Sequence, residues 1–358
     1  MDVYFAHVHP WLPILHRPTF LAAFRTGPPK RLHLILLAMV AISVRYSTDP
    51  QLSHTGAREQ YASEARQIIV LETLDRSSLE GLQALIILAI HTIGIGQGPR
   101  SWSIVGMATR LASQLGISVD HNTAGPQPST LQVKLLPQPT TWTEAEERRR
   151  TFWAAFILDR FASVGTGWNT TYNILDIDLK LPCDDKYWDY SQQVDVPKFS
   201  KVDKSKSSLS EFPNLLFPDS TPESFTLGSF AYLVESVECL SRVHTFFLQR
   251  TIATNSPNEV QNWVSRCRLL DTMLMQWRER LPERFKFIAE LREPNLILMW
   301  ATYNAYLSSY LEVLISGRWF FCTNQLHIQG TNSPVKSRHY LKPFVRNDAS
   351  KQLRKYRS

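Results

Sequence analysis

Apolar positions along the chain recur with helical rather than strand spacing. Ile104, Ala108, Leu111 and Leu115 follow one another at intervals of four, three and four, which puts them on one face of a helix. Gly116 comes next, where a left-handed cap ends such a helix. A second strong pattern predicts a helix from about 143 to 161, with Phe152, Trp153, Phe156 and Ile157 as an aromatic apolar stripe. The apolar runs Leu34–Val44 and Leu82–Ile95 read as buried helices. Each is too short or too interrupted for the roughly 20 residues that cross a bilayer.

Start signals support these elements. Thr143 with Glu146, Ser77 with Glu80, and Ser256 with Glu259 each have capping-box spacing, in which a hydroxyl and a carboxylate satisfy amides of the first turn. Pro257 occupies the favoured first helical position. No Asn-Gly or Asp-Gly turn joins two alternating runs, and no strand–helix–strand rhythm appears. The expected fold is all-α, a multi-helix packed domain with long surface loops. Two proline- or serine-rich stretches, about 122–141 and 196–224, read as mobile surface loops.

Charge changes the picture only at one end. The formal net charge is +7, and residues 336–358 alone hold eight Lys or Arg against Asp348, which accounts for all of it. The remainder is balanced, so no net basic face points to nucleic acid. The organisation expected is one regulatory domain over 1–316, followed by a basic tail over 317–358. That tail reads as disordered or as a reading frame carried into an intron. Cys183, Cys239, Cys267 and Cys322 form no Cys-x-x-Cys pair and read as ordinary buried thiols. Met1–His7 contains Asp2 and no basic leader region, so a reducing intracellular setting is expected.

Three segments, in order, carry a resemblance. Tyr4–Phe24 (YFAHVHPWLPILHRPTFLAAF) contains His9-Pro10 and then Pro18-Thr19-Phe20. Ser101–Asp120 (SWSIVGMATRLASQLGISVD) contains Gly106-Met107 and ends its helix at Leu115-Gly116. Glu146–Asp185 contains Arg149, Arg150, Phe152-Trp153, Asp159-Arg160, then Asp176, Asp178 and Leu181-Pro182. Together they resemble the fungal-specific transcription factor domain, the regulatory middle region of zinc-cluster transcription factors. Weaker similarity extends through Trp277 and Leu281-Pro282. Where many members have Arg-Pro after the glycine turn, this chain has Trp168-Asn169.

The resemblance implies a transcription regulator of the fungal nucleus rather than an enzyme. It implies no cofactor in this chain. Zinc is expected only in the six-cysteine cluster that complete members carry N-terminal to this domain, and DNA binding only through that module. Implied partners are a small-molecule effector and a related factor in a homo- or heterodimer, with no membrane contact. The alternatives are a partner-dependent regulator without its own DNA reader, an incomplete gene model, and, last, a helical enzyme.

Local constellations have structural readings beside their functional ones. Arg148–Arg150 fan out around a helix and follow Glu144, Glu146 and Glu147, so Arg149 or Arg150 is expected to pair with a distant carboxylate. Asp176 or Asp178 is expected to accept backbone or Arg donors and fix its loop, since the acid spacing does not match a calcium loop. Gly94, Gly96 and Gly98 lack the Lys-Ser/Thr of a phosphate loop and read as a helix-to-helix turn. His7, His9 and His16 read as packed rather than metal-binding. Trp102, Trp153 and Trp168 are candidate liners of an effector cavity, although core packing is the ordinary role for each. No Ser/His/Asp or Cys/His set has local spacing.

Overall fold

The computed structural model describes residues 1–27, 30–47, 56–120, 135–199, 226–245, 256–286 and 293–309. The chain divides into a unit spanning Met1–Tyr310 and a second spanning Leu311–Ser358. The predicted boundary at 316, the basic tail, Cys322, most of the 122–141 loop and nearly all of the 196–224 loop lie outside the described residues.

The described residues are helical, with no strand among them. Three isolated bridges occur: Val119 with Asp178, Lys180 with Lys198, and Cys183 with Leu227. In chain order the helices are α1 (Asp2–His7), α2 (Arg17–Arg25), α3 (His33–Ser43), α4 (Ala57–Asp75), α5 (Leu79–Gly94), α6 (Gly98–Leu115), α7 (Trp142–Thr166), α8 (Asp185–Asp189), α9 (Ser229–Val243), α10 (Pro257–Arg280), α11 (Glu283–Lys286) and α12 (residues 294–309). The packing order follows the chain: α3 lies against α4 and α5, α5 against α6 and α7, α6 against α7, α7 against α9, and α9 against α10. No described helix is long and apolar enough to cross a membrane.

Two helices form the centre. In α5 every residue from Leu82 to Ala89 is buried, and in α7 so is every residue from Arg148 to Arg160. The predicted aromatic stripe lies there. Trp153 meets Phe152, Phe156 and Phe199 with ring centroids 4.8–5.3 Å apart. A helix buried on all sides is normally apolar all round. The charged residues of α7 therefore need internal partners, and the placement of those partners organises the site.

Helix boundaries follow local chemistry, with three corrections. The α7 cap is Thr141, whose hydroxyl accepts from the Glu144 N–H at 3.1 Å, while the Glu144 carboxylate accepts from the Thr140 N–H at 2.9 Å. The Thr143–Glu146 box does not form, because Glu146 is wholly buried among arginines one turn further on. At α5 the cap is Ser78 rather than Ser77. Ser256 does stand at the start of α10 with Pro257 behind it, but its side chain makes no capping bond. Gly116 takes φ +67°, as its place after Leu115 predicts. Gly96 takes φ +74° in the turn between α5 and α6, with no strand before it.

Val196 and Phe199, placed by sequence at the start of a surface loop, are instead buried core residues. The Phe199 N–H donates to the Leu179 carbonyl at 3.1 Å, so this run packs alongside residues 178–181.

Candidate functional site

The arginine run of α7 binds inward. Glu146 is fully buried and accepts from Arg149, from Arg150 Nε at 3.1 Å and from the Cys183 N–H at 2.9 Å. Arg150, also fully buried, donates to Asp185 Oδ1 at 2.6 Å and to the Cys183 carbonyl at 2.7 Å. Its guanidinium lies 4.0 Å from the Trp188 ring centre. Burial opposes the Arg150 charge, but Asp185 and Glu146 outweigh burial and hold it firmly protonated. Arg149 reaches Asp120 at 3.6 Å. The distant carboxylates expected for these arginines are thus Asp185 and Asp120. Burial raises the Cys183 thiol far above its ordinary pKa, so it stays a neutral thiol here. Cys239 and Cys267 are likewise buried, and burial raises both thiols above their ordinary pKa.

The other end of α7 repeats the device. Both Asp159 oxygens accept from the Thr171 N–H at 3.0 Å, and Oδ2 also pairs with Arg160 at 2.9 Å. Arg160 continues to Glu238 on α9 at 3.1 Å and to the Tyr172 carbonyl at 3.0 Å. Glu238 also holds Arg242 at 2.9 Å, and Glu235 on the same helix pairs with Arg280 of α10 at 3.1 Å. A buried ionic seam therefore joins α7, α9 and α10. The acid that fixes the loop after α7 is Asp159. Asp178 pairs instead with Lys198 at 2.5 Å, and Asp176 is exposed.

The remaining motif residues anchor chain segments. His9 Nε2 lies 2.8 Å from the Leu15 carbonyl, its ring is packed on Phe5, and burial lowers its pKa to about 4. His16 contacts Thr19 and the Trp188 carbonyl. His7 stacks on Tyr46. With its amide turned to donate, Asn295 of α12 reaches the Pro10 carbonyl at 3.2 Å. Pro18 opens α2, and Phe20 faces the core. Leu181 and Pro182 are buried beside the Arg150 centre. Gly106 and Met107 are half-buried on α6, and a Cβ at Gly106 would meet nothing within 4 Å, so packing does not demand glycine there. Among the described residues no cluster of His, Cys, Asp and Glu is arranged to hold a metal ion.

An open cleft of about 970 Å³ lies beside the start of α7. Arg149, Lys180, Lys198, Asp120, Asp195 and Trp142 contribute to its walls. None of the three candidate tryptophans is among its described liners. Trp153 is core, its indole N–H donating to the Lys180 carbonyl at 2.8 Å. Trp102 and Trp168 meet edge-to-face at 4.8 Å, with Trp168 half exposed. Sequence reasoning missed Asp120, Lys180, Asp195, Lys198, Glu235, Glu238 and Arg280. Asp120 closes one motif segment and Lys180 lies within another.

The family described as fungal specific transcription factor domain matches residues 1–279. The chain belongs to this family. The relatives are transcription regulators by name. An uncharacterized transcriptional regulatory protein of Schizosaccharomyces pombe is 27% identical over 317 residues, covering 86% of this chain and 30% of the relative. A Zn(2)-C6 fungal-type transcription factor of Fusarium oxysporum f. sp. lycopersici is 30% identical over 198 residues, 53% of this chain and 20% of the relative. A second S. pombe transcriptional regulatory protein is 27% identical over 177 residues, covering 47% and 24%. The chain thus spans less than a third of each of these relatives. No solved structure gives a significant match. In this member of the fungal-specific transcription factor domain family, the motif segments converge on α7 and its ionic partners.

Proposed function

We propose that this chain is the regulatory core of a nuclear transcription regulator that reads DNA through a module elsewhere in a longer protein. Family membership over residues 1–279 carries this reading. In it, a zinc cluster supplies DNA contact, and the helical body sets whether the attached reader or activation segment is available. Occupancy of the body by an effector, or pairing with a related regulator, biases two arrangements of the helices. In this reading the body performs no catalysis, and Glu146 and Asp159 serve ion pairs and backbone hydrogen bonds that hold the fold.

A tethering experiment tests the reading. Fused to a heterologous DNA-binding module in yeast, the chain should enter the nucleus and change expression of a reporter bearing that module's site. A fusion that occupies the site and leaves reporter output unchanged, in medium and stress conditions of every kind tried, would count against a regulatory role.

A further inference from the structure

The turn between α5 and α6 suits an effector of one chemical class, and its regulatory use rests on the function proposed above. We infer that this turn binds a phosphate group, carried by a small molecule or free as the inorganic ion. Three arginines from separate segments surround it: Arg45 follows α3, Arg66 lies on α4, and Arg100 stands in the first turn of α6. Among the described residues none of the three forms an ion pair. Arg66 donates to the Ser63 hydroxyl at 2.8 Å, Arg100 to the Gln97 side chain, and Arg45 lies over the Tyr46 ring. The acid whose charge reaches Arg66 is Glu59, which is exposed.

A buried histidine lies among these cations. His91 is 4% exposed, and neither ring nitrogen has a hydrogen-bond partner. It shares a face of α5 with Gly94, and Arg45 Nη1 lies 3.1 Å from the place a Gly94 Cβ would take. Burial first, and then the Arg45 charge, lower the His91 pKa, with Arg66 acting the same way and Glu59 against them. Arg66 is lowered by burial and then by Arg100, and its Nη1 is buried without a partner. Arg45 also complements the carbonyl end of α5, a duty that Arg66 and Arg100 lack. Arg100 stands against the dipole of its own helix, since a cation in the first turn is disfavoured. The 18-residue α6 has no acid in that turn and no side-chain cap at Gln97. The first-turn amides of Gly98 and Arg100 therefore add to the positive field. A Cβ at Gly96 or Gly98 would meet nothing within 4 Å, so the space over the turn is open. A phosphate there accepts from arginine forks whose planar geometry matches its oxygens, and from His91. Because α5 packs against α4, α6 and α7, an occupant of this turn bears on the centre of the fold.

Isothermal titration calorimetry on the full chain tests this at constant ionic strength, with inorganic phosphate, pyrophosphate and glucose 6-phosphate as probes and glucose as the neutral control. At least one phosphate should bind saturably. A preference for glucose 6-phosphate assigns an ester, and a preference for the inorganic ions assigns the free anion. The Arg66→Gln/Arg100→Gln double variant should weaken binding at least tenfold. Glu59→Gln, which removes the nearby acid, should tighten it severalfold, and this gain cannot come from misfolding. His91→Leu should weaken it severalfold yet leave the free chain at least as stable to urea, because it removes a buried polar group without a partner. No saturable binding of any phosphate, equal binding of glucose and its phosphate, or unchanged affinity in the arginine and Glu59 variants overturns the inference. The tethered reporter separates the two readings. If it responds while the phosphates fail, the regulatory role stands and this turn is not its effector site. If the phosphates bind and the reporter is silent, the site stands without that role.

Discussion

Removing Arg150 should be among the most damaging single changes in α7. The residue is fully buried, and its guanidinium serves Glu146, Asp185 and the Cys183 carbonyl, with Trp188 stacked below. In Arg150→Met these partners lose different amounts. Asp185 is nearly half exposed and regains water. Glu146 keeps Arg149 and the Cys183 N–H but stays buried with half its cationic support. The Cys183 carbonyl loses that donor inside the protein. Breaking a buried pair from one side costs about 3–5 kcal/mol. Because Glu146 retains two donors, the lower part of that range, about 3 kcal/mol, is the expected loss. With a urea m-value of about 3 kcal/mol per molar for a body of this size, the unfolding midpoint should fall by about 1 M. Unfolding is followed by tryptophan fluorescence and far-UV circular dichroism, whose transitions must coincide. Arg150→Lys should not restore stability, since one ammonium cannot span the three acceptors in the planar fork. A loss below about 1 kcal/mol, or full rescue by lysine, would refute the claim that this centre holds α7 in place.

Four further outcomes follow from the structure. Burial raises the Glu147 pKa to about 7, so the folded state binds the extra proton between the ordinary carboxylate value and 7, and stability should fall as pH rises through that window by on the order of 3 kcal/mol; Glu147→Gln should remove the fall in urea titrations at pH 5 and 8. His9, lowered to about 4 by burial, acts with the opposite sign, so in the Glu147→Gln background stability should rise between pH 4 and 6.5. Gly228→Ala would place its Cβ 2.7 Å from the Asp184 Cα, a backbone contact that cannot swing aside, and should lower stability by about 1–3 kcal/mol in the same assay. Asp159→Asn keeps an acceptor but loses the charge facing Arg160, and hydrogen exchange should quicken at the Thr171 and Tyr172 amides while α5 remains protected.

Periodicity made the helices and the central place of α7 legible, because a 3.6-residue repeat reports burial directly. Capping was harder. Thr141 with Glu144 and Thr143 with Glu146 offer the same local signal two residues apart. What decides between them is Cys183, which claims Glu146 across 37 residues. Long-range partners also explain why Asp159, rather than Asp176 or Asp178, fixes the following loop: the helix end points its carboxylate at amides 12 and 13 residues on. Val196 and Phe199 were hidden by the serine- and lysine-rich residues beside them, which dominate any window average. None of the three candidate tryptophans lines the described cleft, because tryptophan marks bulk. Bulk fills cores as readily as it lines cavities, whereas the lining cations come from segments that only the fold brings together.

The distribution of charge along α7 has a consequence for motion. Bonds to other segments grip the helix at its first buried turn, through Arg150 with Asp185 and Glu146 with the Cys183 N–H, and again near its end, through Arg160 with Glu238 and Asp159 with the Thr171 N–H. Apolar packing alone tolerates small slides, since one methyl contact replaces another. Buried guanidinium–carboxylate pairs do not, because a shift of an ångström or two leaves charges unpaired where the dielectric response is low. A displacement that starts at Arg149 must therefore either leave α7 where it is or carry both grips with it, and the second grip reaches α9 through Glu238. Intermediate positions lose pairs at both ends without replacing them. The helix is consequently suited to two discrete settings rather than a continuum, which is what packed interfaces require to turn a local change into a distant one. If that is right, substitutions at the two ends should not add: Arg150→Met with Asp159→Asn should cost less than the sum of the singles, because loss of either grip already frees the helix. Strict additivity would place the two ends in independent units.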